Sequence, residues 1–458
     1  MIKLVKRDGW RKLASTIERD PKAQLVYRMP ATIDKSHPAL TFSCLAYDVD
    51  IEKHSVASNI PPPPTQHDGR PVVMADPNEF GALARRPGAP RDVDDFIRRG
   101  LPQLELHVVT FRNATIVGIS CLHSLLDGMG LGRHGLLGAW TLVLQGRESE
   151  IPPLCGIERD LLAGLGRDTA GETEPFQHAD RLMGPFRMLC WAGRRAWEVI
   201  RHRDEEARIV WVPRTFIQQM RQDVLAELEA GSLGADGAIP SQQKPWVSDG
   251  DVLVAWWTRY AALHLADRPG KTLVVANSYN LRRILAGDPL PAGHIYLGNC
   301  VGSISVFTTI RDVFERRPLS WMAAQVRRAI VECGTRSQIE SMLSLFMPDP
   351  RRVSTFRICG DPGMHMVVFT NWTQAQLFQI DLAPAVVGYG DGAEHTDDGP
   401  VLPTFVSHHI SSRMWPMRDT FVILGKDADE GYWLTGTLRK GLWHRIQEEL
   451  QRGSGTTY

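Results

Sequence analysis

Apolar residues along the chain follow two periods. Runs near period two or continuously apolar read as strands: Leu25 to Met29, Ala39 to Tyr47, Leu104 to Phe111, Ala114 to Cys121, Arg208 to Val212, Leu273 to Asn277, Gly302 to Phe307 and Met366 to Thr370. Leu104 to Phe111 and Ala114 to Cys121 are expected to pair through a turn at Arg112-Asn113, and Thr420 to Leu424 with Gly431 to Thr437 to form a terminal hairpin. Helical spacing predicts helices over Trp10 to Glu18, Leu131 to Leu144, Met183 to Ile200, Phe216 to Leu228, Asp249 to His264 and Leu319 to Glu332. Strands and helices alternate, so the class is mixed α/β.

Punctuation between these segments marks loops. Pro61-Pro62-Pro63-Pro64 and the Thr65 to Gly69 stretch after it form a stiff connection, which as a polyproline helix would offer a partner surface. Gly231 to Gly237, running into Pro240 and Pro245, predicts a linker near mid-chain. A length of 458 residues exceeds one compact core and implies two or three domains. We divide the chain at 1–205 and 206–458, because the second half repeats the first in outline.

Composition excludes more than it identifies. Lys plus Arg number 52 and Asp plus Glu 52, so no global basic excess points to nucleic acid or an anionic membrane. Arg194, Arg195 and Arg201 cluster on a helical stretch, but the run stops at Asp204-Glu205-Glu206 and reads as a solvated helix side. No apolar run reaches transmembrane length, and the first residues lack the apolar core of a signal peptide. Seven scattered Cys form no CxxC pair and are expected to be reduced thiols in a cytoplasmic protein. Two glycosylation sequons, at Asn113 and Asn371, carry no weight without a secretion signal.

The stretch with chemistry is Cys121-Leu122-His123-Ser124-Leu125-Leu126-Asp127-Gly128. His123 would leave the end of a strand just before a turn, with Gly128 supplying positive φ where the chain bends away. An imidazole there suits a general base, since it titrates near neutral pH. A lone His beside apolar residues is more often a satisfied structural residue, so the motif needs support from elsewhere. Other motifs fail. Gly270-Lys271-Thr272 lacks the upstream Gly of a phosphate loop, Gly388 to Gly392 has no strand-to-helix frame, and no GxSxG or HExxH occurs. His408-His409 has no ligands at metal spacing.

Support comes from five ordered features. His123 to Gly128 is followed by Ala139-Trp140, Gly146, Pro152-Pro153 and Arg159-Asp160; then by Val247 to Trp257; then by Asn280-Leu281-Arg282, Pro289-Leu290-Pro291 and Tyr296-Leu297-Gly298-Asn299; and last by Thr370-Asn371-Trp372 leading to Asp381. Together these resemble the BAHD acyltransferases, especially the fungal branch with the trichothecene acetyltransferases. The likeness spans nearly the whole chain. It departs at Asp381-Leu382-Ala383-Pro384-Ala385, where the family carries a DFGWG-like segment, and at the start, where the family's first strand and loop are not found.

The resemblance implies two similar chloramphenicol acetyltransferase-like domains, each a mixed sheet backed by helices, with a channel between them. It implies acyl-CoA as co-substrate, no bound cofactor or metal, and transfer of the acyl group to a hydroxyl or amine of a small hydrophobic natural product, by a monomer. His123 would take the acceptor's proton, and no activated Ser or Cys nucleophile is evident. Asp127 would not orient His123 but pair with Arg282 (Arg283 beside it is the rival), fixing the loop. Gly128 would leave room near the base. Thr370 and Trp372 would steady the oxyanion or position the acceptor, or Trp372 would be core. Tyr296 and Asn299 are expected to be structural. Two alternatives stay open: an enzyme condensing or cyclising carrier-protein-bound acyl chains, and a non-catalytic relative that binds a metabolite or a synthase partner.

Overall fold

The computed structural model describes residues 1–64, 68–167, 174–231, 244–346, 357–386, 388, 399–409 and 418–452. In chain order its elements are α1 (Ile2–Val5), β1 (Thr16–Arg19), β2 (Leu25–Arg28), β3 (Thr41–Ala46), β4 (Val72–Val73), α2 (Gly81–Ala84), α3 (Val93–Arg99), β5 (Glu105–Thr110), β6 (Thr115–Ser120), α4 (Gly128–Leu131), α5 (Leu136–Leu144) and α6 (Pro185–Arg201). They continue with β7 (Glu205–Val212), α7 (Arg214–Glu229), α8 (Asp249–Ala262), β8 (Thr272–Asn280), β9 (Val301–Thr309), α9 (Leu319–Cys333), α10 (Arg336–Phe346), β10 (His365–Asn371), β11 (Thr420–Lys426), β12 (Tyr432–Arg439) and α11 (Leu442–Arg452).

Two mixed sheets organise the molecule. The smaller has the order β3-β5-β6, with β3 parallel and β6 antiparallel to β5. The larger has the order β4-β7-β12-β11-β10-β8-β9, in which β10 runs parallel to both β8 and β11. A third, two-stranded sheet pairs β1 with β2. The two main sheets are thus unequal among the described residues. Two segments of the first 205 residues lie on the larger sheet: β4 pairs with β7, and Trp191 of α6 packs with Val274 and Met364.

The largest core surrounds α8, whose Val252 to Trp257 run is buried on every side. Its start is fixed by a capping box, in which Ser248 and Asp251 satisfy each other's backbone N–H. Arg327 donates to the same Asp251 carboxylate. A second core joins Trp10, Leu125, Leu126, Leu136 and Trp140. A third lies between the sheets, where Val109 and Ile116 meet Trp211, Trp372, Val422 and Trp433. That third cluster sets one half of the chain against the other.

Two expectations require correction. The first helix stops early: a 3₁₀ segment covers Trp10–Ala14, and Thr16–Arg19 is a strand, as its β-branched residues favour. The helix expected from Leu131 begins at Leu136, after a separate turn of helix at Gly128–Leu131, because Gly132 and Gly135 break it. Helices α3, α10 and α11 were not anticipated. In α11 the buried Leu442, Trp443, Ile446 and Leu450 do follow helical spacing. The expected linker beyond Gly231, and the Gly-rich loop apart from Gly388, lie outside the described residues.

Candidate active site

His123 sits in a turn directly after β6, with its side chain exposed. Its ring hydrogen-bonds to no described residue, while its backbone is held: Asn299 Nδ2 donates to the His123 carbonyl at 2.8 Å. Leu125 and Leu126 follow two and three residues later and are buried in the second core, so the turn is pinned just after the His.

Asp127 turns to the other half of the chain. Arg282 Nη2 donates to its Oδ1 at 2.8 Å and Nη1 to its Oδ2 at 3.0 Å, a bidentate pair. Two backbone N–H groups complete the carboxylate's shell: Gly130 donates to Oδ1 at 2.8 Å, making Asp127 the N-cap of α4, and Cys300 donates to Oδ2 at 3.0 Å. Arg282 also donates to the Tyr296 and Gly298 carbonyls and to Asn280 Oδ1. Asp127 is 8% exposed and Arg282 is half-buried, so this is a largely buried, fully satisfied ion pair. Arg283 plays no part in it.

Gly128 has no positive φ, contrary to expectation; it opens α4. Its requirement is contact. A Cβ there would lie 2.7 Å from Trp372 Cε2, so only a hydrogen lets the indole lie on the loop. Gly130 and Gly132 are similarly crowded by the backbone of Leu297 and Ala375, and Arg133 N–H donates to the Ala375 carbonyl at 2.8 Å. The loop from His123 to Arg133 is therefore clamped by two segments of the second half, 296–300 and 370–375.

Trp372 follows β10, and its Nε1–H donates to Thr370 Oγ1 at 3.1 Å. That bond occupies the indole proton and leaves the Thr370 hydroxyl proton free to donate. The Trp372 ring packs edge-on to His408, whose centroid is 5.4 Å away. Burial holds the His408 pKa down to about 4, so this imidazole is neutral at pH 7. Burial pushes the Cys121 thiol up to about 12, which makes it a poor nucleophile. All seven cysteines are free.

Asp381, the remnant of the altered segment, accepts from the Ala383 and Val401 N–H groups and from Nε2 of Gln145, the residue that ends α5. It ties the second half to the helix after the His loop. One group among the described residues has ligating atoms close enough for a metal: Glu198, His264 and His365, within 4.8 Å. There Arg195 already pairs with Glu198 at 2.8 Å and with Asp419 at 3.2 Å, so the carboxylates have their cation. This cluster lies at the start of β10, a strand's length from Trp372.

Sequence reasoning missed the direct role of Asn299, the Cys300 N–H and the close approach at Gly130 and Gly132. The Gly128-x-Gly130-x-Gly132 spacing was a usable signal for crowding. A backbone N–H leaves no mark in sequence.

The curated relatives settle the family. The protein called transcriptional regulator calD of Penicillium decumbens is 33% identical over 98% of this chain and 87% of its own length. The acetyltransferase sphE of Aspergillus fumigatus is 33% identical over the same shares of the two chains. Among solved structures, F. sporotrichioides TRI101, complexed with coenzyme A and T-2, matches with a TM-score of 0.62 at 12% identity, covering 98% of this chain and 88% of that one. Vinorine synthase matches at 0.52 and 13%, covering 98% and 82%. The chain belongs to the BAHD acyltransferases, in their fungal branch. No family model matches it. The two structural neighbours support its mixed α/β fold. No helix among the described residues is long and apolar enough to cross a membrane.

Proposed function

We propose that this chain moves an acyl group from a CoA thioester to a hydroxyl of a small hydrophobic natural product, with His123 as general base. The carrying observation is the contrast at one loop: the His123 ring is exposed and unbonded, while its backbone and the Asp127 beside it are bound from the other half of the chain. An imidazole held this way by rigid neighbours is placed for proton transfer without being used structurally. The names of relatives, acetyltransferase and O-acyltransferase, and the coenzyme A in the TRI101 complexes support the same reading.

His123 takes the proton from the acceptor hydroxyl as its oxygen bonds to the thioester carbonyl carbon. The carbonyl oxygen becomes an oxyanion, and the Thr370 O–H, freed by the Trp372 bond, donates to it. Collapse breaks the C–S bond, and the imidazolium returns its proton to the departing thiol sulfur. Reactants would meet in a channel between parts 1–205 and 206–458. The protein would work as a cytoplasmic monomer in secondary metabolism, with acyl-CoA and the acceptor as its partners and no bound cofactor.

The test is purified protein with acetyl-CoA and a panel of alcohols, following thiol release. Wild type should turn over, and His123→Ala should lose roughly 10²–10⁴ in rate, the range of general-base contributions. Equal rates would refute the base role. The name transcriptional regulator, carried by a relative just as similar, favours a second reading as a non-catalytic binder. That reading requires no turnover with any donor, carrier-protein-bound acyl chains included, and metabolite binding indifferent to His123→Ala.

A further inference from the structure

Helix α6 is built inside out. Its inward face carries Trp191 with an ion pair, Arg195 and Glu198, whereas Phe186, Leu189, Trp197 and Ile200 point to solvent at 77%, 70%, 64% and 55% exposure. At 100° per residue these four fall within one sector of the helix, together with Cys190, Gly193 and Ala196. Isolated exposed apolar residues need no explanation, but a contiguous stripe along about 21 Å of helix does.

One flank of the stripe is basic. Arg187, Arg194 and Arg201 recur every seven residues, so they line the same edge, and all three are exposed. Arg187 donates to the Gly360 carbonyl, while Arg194 and Arg201 pair with no described carboxylate. The helix's only acid, Glu198, faces inward on Arg195.

A second copy of the helix would not complement this pattern. Packed antiparallel, the two Arg lines would face each other. Packed parallel, each would meet the opposite flank, which offers Pro185, Ala192 and Val199 and no acid. A surface with apolar depth beneath a layer of negative charge complements both features at once. We propose that α6 is an interfacial helix that docks the protein on anionic lipid membranes, with Phe186, Leu189, Trp197 and Ile200 entering the acyl boundary and the Arg flank meeting headgroup phosphates. This departs from the sequence expectation of a solvated helix side and no membrane partner. The start of β10, against which α6 packs, is at the opposite end of that strand from Trp372, so docking leaves the His123 loop uncovered.

The full chain is mixed with vesicles of phosphatidylcholine alone or with phosphatidylserine added, and bound protein is measured by co-sedimentation at low and high salt. Binding should require phosphatidylserine and weaken with salt. Arg194→Gln/Arg201→Gln should lose roughly thirtyfold in affinity, and Phe186→Ser/Trp197→Ser should also lose binding. Both variants should keep wild-type circular dichroism and acyl transfer to a water-soluble alcohol, because the altered side chains are exposed. No binding by wild type, or equal binding to both vesicles, overturns the proposal. So does a dimer by light scattering that Trp197→Ser dissociates, since a second copy would then own the face.

Discussion

Replacing Asp127 by Ala should reveal how much of the protein's stability rests on the joint beneath the His loop. Four N–H donors converge on this carboxylate: two from Arg282, one from Gly130 and one from Cys300. Removing it strips α4 of its cap and leaves the half-buried Arg282 without its counter-charge. Breaking a buried pair from one side costs about 3–5 kcal/mol. Arg282 keeps the Tyr296, Gly298 and Asn280 acceptors, which hold the guanidinium but do not neutralise it. In Arg282→Ala the carboxylate keeps two backbone donors but loses its cation, and the 296–300 segment loses the side chain that gathers its carbonyls. Both variants should therefore fall in the same range. For a folding unit of 150–250 residues that corresponds to roughly 6–20 °C in Tm.

The double variant separates the pair from its surroundings. With both charges gone, no isolated charge remains, so the combined loss should be about 2–3 kcal/mol smaller than the sum of the single losses. Thermal or urea unfolding of the four proteins gives the coupling directly. Thiol release measured on the same preparations should fall with stability in both single variants, because the loop that carries His123 loses its anchor. Additive losses would refute the reasoning. So would an Asp127→Ala protein that is fully stable and inactive, since that would make Asp127 a partner of the imidazole.

Three further outcomes follow from neighbouring geometry. Gly128→Ala drives a methyl into the Trp372 indole and should cost about 1–3 kcal/mol, while Trp372→Phe, by removing the Cε2 edge, should recover part of that loss. Asn299→Ala frees the His123 carbonyl; kcat should drop more than Tm, and a proportional fall in both would mean that Asn299 serves only the fold. Burial lowers the His264 pKa to about 2 and also lowers that of His365, both below the unfolded value near 6.5. Their contribution is present above pH 6.5 and is lost as pH falls below it, by about 1.4 kcal/mol per pH unit for His264. Asp419, raised by burial, works in the opposite direction, so the comparison is between slopes: unfolding free energy from pH 6.5 to 5 should be flatter in His264→Gln than in wild type, and identical slopes would contradict it.

Much of this was legible because it is written in side chains. The strands from Leu104 to Cys121 and the buried helix at Asp249 announce themselves by period, and their partners follow from the turn between them. The Asn280-Leu281-Arg282 frame favoured Arg282 over Arg283, and the carboxylate of Asp127 lies on Arg282. What stayed hidden was written in backbone and in absent atoms. The Cys300 N–H on Asp127 has no residue signature, and Gly128 was read as a turn glycine although its φ is ordinary and the indole of Trp372 is the constraint. The reversed polarity of α6 was also hidden. A period of 3.6 shows that a helix has an apolar side, and the sequence does not say whether that side faces the sheet or the solvent.

The same distinction explains how the site is built. A general base must be free at its ring and fixed everywhere else, and these demands conflict if one half of the chain supplies both. Here the first half supplies the strand, the turn and the imidazole. The second half supplies the restraints: Asn299 on the carbonyl, Arg282 on Asp127, and Trp372 lying on Gly128. None of the three hydrogen-bonds to the ring, so each can tighten the loop without consuming the proposed base. Each also requires the two halves to be in register, which, with His123 as the proposed base, would make the joint between them part of the catalytic geometry. A substitution far from His123 that shifts the 296–300 or 370–375 segment by an ångström should therefore reduce turnover while leaving the imidazole itself untouched.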